Sequence, residues 1–266
     1  MAANAEFPQA ILVTGAAGNL GQVVARHLTD RLRAGQISQL RLADIRPIPV
    51  AEGVETIQTP ISERDVAFRL AEGMDAIIHL SGIPTENEWD ALIPANIAAT
   101  AHLWDAAVAH GVDRLLFASS NHAVGMYPAD QVIDHSAPPR PDSRYGLTKA
   151  FGEQLGALYA AKTPVRGFAM RIGSCFEVAN ARRHLKTFQS LADFTRLIDT
   201  GLTADYRFEI VYGMSDNDGS FWDNANALRL GYAPQDHAAD FMTAPIDETD
   251  HRFQGGHFAD EPLGKG

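Results

Sequence analysis

The chain has one cysteine, Cys175, in 266 residues, so no disulfide framework and no cysteine-based zinc site is expected. No apolar run approaches the roughly 18 residues of a membrane span. The first residues, Met-Ala-Ala-Asn-Ala-Glu-Phe-Pro, lack a basic segment followed by an apolar stretch, which leads us to expect a cytoplasmic protein. Basic residues are outnumbered. The formal net charge of −11 argues against a nucleic-acid partner, yet an anionic small molecule could still meet a locally basic site. Among the ten histidines there is no His-x-x-x-His pair backed by a carboxylate, so no metal is expected. Trp89, Trp104 and Trp222 have no accompanying basic stripe on which nucleobases would stack. There is no internal repeat and no low-complexity segment.

What is present is an alternation of strand-like and helical runs, with an ordinary 45% of hydrophobic residues. Ala10-Ile-Leu-Val-Thr14 reads as a short buried strand. Gly15-Ala-Ala-Gly18-Asn-Leu-Gly21 comes next, then an amphipathic helix from about Leu20 to Leu32. Further strands are expected at Gln39–Ala43, weakly at Glu55–Gln58, and at Asp75–Leu80, Leu115–Ala118 and Val165–Arg171. Helices are expected over about 63–72, 88–110 and 145–161. Strands joined by helical crossovers imply an α/β fold: a Rossmann-type, doubly wound parallel sheet with ligands beyond the carboxyl ends of its strands. Gly15, Asp44, Ser81, Ser120 and Arg171 all fall at such ends. We expect residues 1–172 to form this dinucleotide-binding part. Residues 173–266 form a small substrate-binding portion, with helices near 191–200, 224–228 and 237–242 and a strand near 208–212. The Gly-rich tail Gln254-Gly-Gly-His-Phe258 is expected to close over the site.

The glycines permit a tight turn, close approach of backbone to a pyrophosphate, and close helix–strand packing. Asp44 can accept both hydroxyls of the adenine ribose and would repel a 2′-phosphate, which favours NAD; nearby Arg46 softens that preference. Tyr145 and Lys149 are four residues apart and share a helix face. The ammonium can favour the phenolate, and Ser120 can bind the same substrate oxygen. Together they read as a proton-transfer device for oxidising an alcohol or reducing a carbonyl. Asn96 has two readings: holding a water in a relay to Lys149, or fixing the helix bend around Pro94.

These residues together resemble the extended short-chain dehydrogenase/reductase superfamily over nearly the whole chain. Within it the chain is similar to the uronate dehydrogenase family. That narrower likeness lies in Ser119-Ser-Asn-His122, Arg171-Ile-Gly-Ser-Cys175, Val211-Tyr-Gly-Met-Ser215, Ser220-Phe-Trp-Asp-Asn224 and Gln254–Phe258. The resemblance implies NAD-dependent oxidation of C1 of a hexuronic acid to an aldarolactone. It also implies an oligomer paired through the helices carrying Asn96 and Tyr145. The implied NAD contacts are Gly15, Ala17, Gly18, Asn19, Leu20, Gly21, Asp44, Ile45, Ile61, Leu80, Ser81, Gly82, Asn96, Ser119, Tyr145, Lys149 and Ile172. The implied substrate contacts are Thr85, Ser120, Asn121, His122, Tyr145, Ser174, Arg183 and Phe258, with Arg183 as the carboxylate clamp. Two departures stand out. Pro84-Thr85 replaces the family's Ser-Val, leaving Thr85 to take over that contact or losing it, and Pro60-Ile61 replaces an Asp-Leu pair beside the adenine.

Three rival functions remain. A dehydrogenase of another small sugar shares the same residues. A nucleotide-sugar epimerase or dehydratase is the nearest, although a dehydratase needs a carboxylate pair after the catalytic serine, where this chain has Asn121 and His122. A non-catalytic NAD sensor would not need Ser120, Tyr145 and Lys149.

Overall fold

The computed structural model describes residues 6–49 and 51–263. Seven parallel strands form one sheet: β1 (Ala10–Thr14), β2 (Gln39–Asp44), β3 (Glu55–Gln58), β4 (Ala76–His79), β5 (Arg114–Ser120), β6 (Arg166–Ile172) and an edge strand, Phe208–Gly213. In space the order is β3-β2-β1-β4-β5-β6-edge. The chain builds outward from β1 on one side, then from β4 on the other. The reversal between β1 and β4 opens the crevice in which doubly wound sheets bind ligands.

Helices cover both faces, so β1, β4 and β5 are buried along their whole length. This is why they read as continuous apolar runs instead of alternating ones. Side chains nonetheless alternate between two core layers, as the period of a strand requires. Ile11 and Val13 face α1 (Asn19–Arg33) and the helix Leu191–Thr203, packing with Val24, Leu28, Phe194 and Leu197. Leu12 faces the other layer with Ile77, Leu103, Trp104 and Phe117. That layer holds α2 (Arg64–Ala71), α3 (Trp89–Leu92), α4 (Ala99–His110) and α5 (Arg144–Lys162). Among the described residues no helix is long and apolar enough to cross a membrane.

The residues after Ile172 share the first core through Phe194, Leu197, Ala227 and Tyr232, and they supply the edge strand that pairs with β6. Two short pairings there escaped sequence reasoning: Ser174–Cys175 with Phe188–Gln189, and Ala179–Ala181 with Met242–Asp247. Segments of this length carry too little periodicity to read. The helix expected near 237–242 is a 3₁₀ turn, Ala238–Phe241, leading into that last strand. The helix expected over 88–110 is not continuous either. A π-helical turn, Ile93–Ala98, separates α3 from α4, with Pro94 at its start. Proline has no N–H to donate, and wide turns of this kind often occur where function places a side chain.

Candidate active site

The site lies across the carboxyl ends of β1, β2, β4, β5 and β6. At the first of these, the chain turns sharply from β1 into α1. Gly15 has φ of 75°, and a Cβ there would meet the Ser81 nitrogen at 2.6 Å. A Cβ on Gly21 would sit 1.9 Å from the Gly15 carbonyl oxygen. Both glycines are therefore required by space. α1 begins at Gly18 with no side-chain cap and no acidic residue in its first turn, leaving its positive end open to an anion. Asp44, buried at the end of β2, accepts from Ala17 N at 2.9 Å and Arg46 N at 2.8 Å, so the acidic residue and the glycine turn are locked together. Arg46 Nε lies 3.6 Å from the same carboxylate. Ile61 packs in the core layer with Ala43, Ile45 is exposed beyond β2, and Leu80, Ser81 and Gly82 form the rim after β4.

At the next strand end, Ser120 closes β5 and Tyr145 lies in the first turn of α5, which Ser143 caps by accepting from Gly146 N. The Ser120 hydroxyl neighbours that of Tyr145, and its oxygen accepts from His122 N at 3.2 Å. Lys149 donates to the Ala118 carbonyl at 2.8 Å, with its ammonium 5.6 Å from the centre of the Tyr145 ring. One expectation is corrected here. Burial pushes the Tyr145 phenol up to about 12, and the neighbouring Ser120 only partly offsets it. Burial also pulls Lys149 down to about 8. Desolvation dominates at Tyr145, and the charge of Asp142 acts in the same direction.

Arg171, also at a strand end, turns inward. Its guanidinium makes two bonds of 2.9 Å to Glu153, which also accepts from Ser119 Oγ at 2.6 Å. The Ser119 hydroxyl is therefore committed to the protein interior, where a strand-end residue pointing to the core face must find a buried partner. Glu153 lies one turn beyond Lys149, so this ion pair ties the helix carrying Tyr145 to β5 and β6. Glu153 was missed in the sequence, although its spacing from Lys149 was the available signal.

Asn96 sits in the π-helical turn, and its amide is fully engaged. It accepts from Ile83 N at 2.8 Å and donates to Ile83 O and to Thr148 Oγ1, each at 3.0 Å. These bonds join the loop after β4 to α5. Glu86, also missed, adds a second tie by accepting from Tyr145 N at 3.1 Å. Thr85 is exposed on this doubly anchored loop.

Asn121, His122, Ser174, Arg183 and Phe258 converge on the same space. His122 lies 5.8 Å from the Tyr145 ring and 4.2 Å from the Phe258 ring. Asn121 donates to the Ile172 carbonyl and accepts from Arg183 Nη2 at 2.8 Å. Arg183 also reaches Ser174 Oγ at 3.3 Å and the Gln254 carbonyl at 2.6 and 2.9 Å. Every acceptor bonded to this arginine is neutral, and burial pulls it down to about 10 against the opposing charge of nearby Asp142. Arg182, by contrast, is exposed beside Asp250. The tail does close the site. Gln254 is buried, takes the Trp222 indole N–H at 2.9 Å, and donates to Pro128 and Gln131 carbonyls.

A dinucleotide turn, an acidic second strand end and a buried serine–tyrosine–lysine set on one sheet edge define a dehydrogenase of the extended short-chain class. The chain belongs to the NAD dependent epimerase/dehydratase family, whose sequence model matches residues 11–197. A uronate dehydrogenase of Pseudomonas putida is 41% identical, the match covering 94% of this chain and 95% of that one. The crystal structure of an Agrobacterium tumefaciens uronate dehydrogenase, a tyrosine-to-alanine mutant complexed with NAD, superposes with a TM-score of 0.87 at 38% identity, covering 96% and 98%. An NAD-dependent glucose-6-phosphate dehydrogenase of Haloferax volcanii is 34% identical, covering 90% and 99%.

Proposed function

We propose that this protein oxidises the C1 hemiacetal hydroxyl of a hexuronic acid, galacturonate or glucuronate, with NAD, releasing an aldarolactone. One observation carries the choice of a sugar acid: a buried guanidinium, Arg183, faces the substrate space with only neutral acceptors around it. Asp142 acts on it only from beyond contact distance, so a substrate carboxylate supplies the direct anionic partner it lacks. At the other end Tyr145 takes the C1 hydroxyl proton while Ser120 holds that oxygen. Lys149 keeps a positive charge beneath the tyrosine ring. Asn121, His122 and Ser174 meet the sugar hydroxyls, and Phe258 covers the ring. NAD, when bound, accepts the hydride and adds a positive charge beside the phenol. The glycine turn, the open end of α1 and Asp44 are the groups that would hold it; Asn96 and Glu86 set the loop on its far side.

The reading includes a cytoplasmic location and a homo-oligomer. Leu147 and Leu158 on α5 and Val108 on α4 are 48, 53 and 38% exposed, an apolar face of the kind that pairs across a two-fold axis. The direct test is NADH absorbance with a panel of uronic acids and the matching neutral sugars, with NAD and NADP. Turnover of neutral or phosphorylated hexoses in preference to uronates would replace this function with that of another sugar dehydrogenase. Tight NAD binding with no turnover of any sugar would leave a sensor.

Two expected outcomes arise here. Gly21→Ala places a methyl against the Gly15 carbonyl, and relief of such overpacking costs roughly 1–3 kcal/mol. NAD affinity measured by calorimetry should fall at least tenfold, and the melting temperature should fall with it. Lys149→Met should abolish turnover yet stabilise the cofactor-free fold at pH 7. Because the folded protein holds the Lys149 proton less tightly than the unfolded chain, the cost of burying the ammonium is present below pH 8. It disappears as pH rises from about 8 toward 10.5. The gain from Lys149→Met, about 1–3 kcal/mol at pH 7, should therefore shrink by pH 10 in denaturation curves.

A further inference from the structure

Asp142 is a buried carboxylate that the proposed chemistry does not use. It accepts from His122 Nδ1 at 2.7 Å and from Ser143 Oγ at 2.8 Å. Three glycines make its room. A Cβ on Gly125 or Gly255 would lie 1.8 or 1.9 Å from its Oδ2, and one on Gly146 would lie 3.1 Å from its Oδ1. These glycines come from the segment after β5, the start of α5 and the C-terminal tail, so three separate parts of the chain leave out a side chain around one carboxylate.

A carboxylate can only accept. The His122 ring must carry its hydrogen on Nδ1, and in the neutral ring Nε2 is then a lone-pair acceptor. The ring that carries this acceptor lies 5.8 Å from the Tyr145 ring, whereas Arg183 can only donate. A substrate hydroxyl can donate to Nε2. A substrate carboxylate cannot.

We propose that Asp142 is a positioning residue that sets the direction in which a sugar acid enters the site. By holding His122 as an acceptor it refuses the carboxylate at the Tyr145 end, admits a hydroxyl there, and leaves Arg183 as the seat of the carboxylate. This rests on the proposed oxidation of a hexuronate, but the state of the ring can be measured without turnover.

The test pairs spectroscopy with a mutant cycle. In protein labelled with ¹⁵N-histidine, the His122 signals, assigned by their loss in His122→Phe, should show the Nδ1–H tautomer at pH 8. In Asp142→Asn, whose amide can donate to Nδ1, they should move toward Nε2–H. The same variant should raise the uronate KM about 10- to 100-fold, introduce inhibition by excess uronate through reversed binding, and change the KM of a neutral hexose much less. NAD affinity should hold, which confirms folding. In a His122→Phe background, Asp142→Asn should add nothing. A doubly protonated ring, one tautomer in both proteins, or an equal cost of Asp142→Asn with and without the histidine would overturn the proposal. If the wild type turns over no uronate, the proposed function fails, and the ring spectra alone decide whether Asp142 fixes His122.

Discussion

Tyr145→Phe is expected to lower turnover of uronates by about a thousandfold or more, the upper part of the range for a positioned acid or base, while NAD affinity stays within about threefold. The phenol ring is buried among His122, Phe258 and the ammonium of Lys149, and phenylalanine fills the same volume. Only the hydroxyl is lost, together with its interaction with the neighbouring Ser120. The pH behaviour has its origin in the same burial. Without cofactor the phenol is held at about 12, so the ultraviolet difference between wild type and Tyr145→Phe should show no phenolate below about pH 10. With NAD present the onset of that band should move to lower pH, because positive charge beside a phenol favours its ionised form. A band that stays put while turnover continues would remove Tyr145 as the base.

The raised phenol shows where a sequence stops being informative. The i,i+4 spacing of Tyr145 and Lys149 says that the two share a helix face, and they do. It says nothing of how much water is excluded around them, which decides the balance between desolvation and charge. The strand ends at Gly15, Asp44 and Ser120 were legible because parallel strands buried on both faces leave unbroken apolar runs, and each run gives way to a loop at the sheet edge. Position at a strand end does not fix which face a side chain takes, and Arg171 takes the inner one. Its partner Glu153 is near in space but lies 18 residues away in the chain. Asp142 and Glu86 were invisible for a related reason. Each looks like an ordinary loop acid, and only folding shows one behind His122 and the other at the first turn of α5. The adjacent pair Arg182 and Arg183 could be separated in sequence only by family resemblance. In the fold they part company, because one side chain points to solvent beside Asp250 and the other under the tail.

Arg183→Met should raise the KM for galacturonate or glucuronate about a hundredfold or more, from loss of a charge-assisted, forked contact in a site shielded from water. The KM for a matching neutral hexose should change little, since its C6 hydroxyl needs no cation. The discrimination between the two sugars, and not the activity itself, is the quantity to measure. Stability is a useful second readout. Burial pulls Arg183 down to about 10 with no carboxylate in contact among the described residues, so its charge costs the empty fold something. Its bonds to the Gln254 carbonyl work the other way by holding the tail. Methionine removes both, and the melting temperature should therefore shift less than is usual for a lost buried arginine. Saturating uronate should stabilise the wild type and fail to stabilise the variant. Arg183→Lys separates charge from shape: it keeps the cation but not the fork, and should recover only part of the preference. If Arg183→Met weakens uronate and neutral hexose equally, the arginine serves the tail alone. The carboxylate must then be sought elsewhere in the site, or the substrate has none.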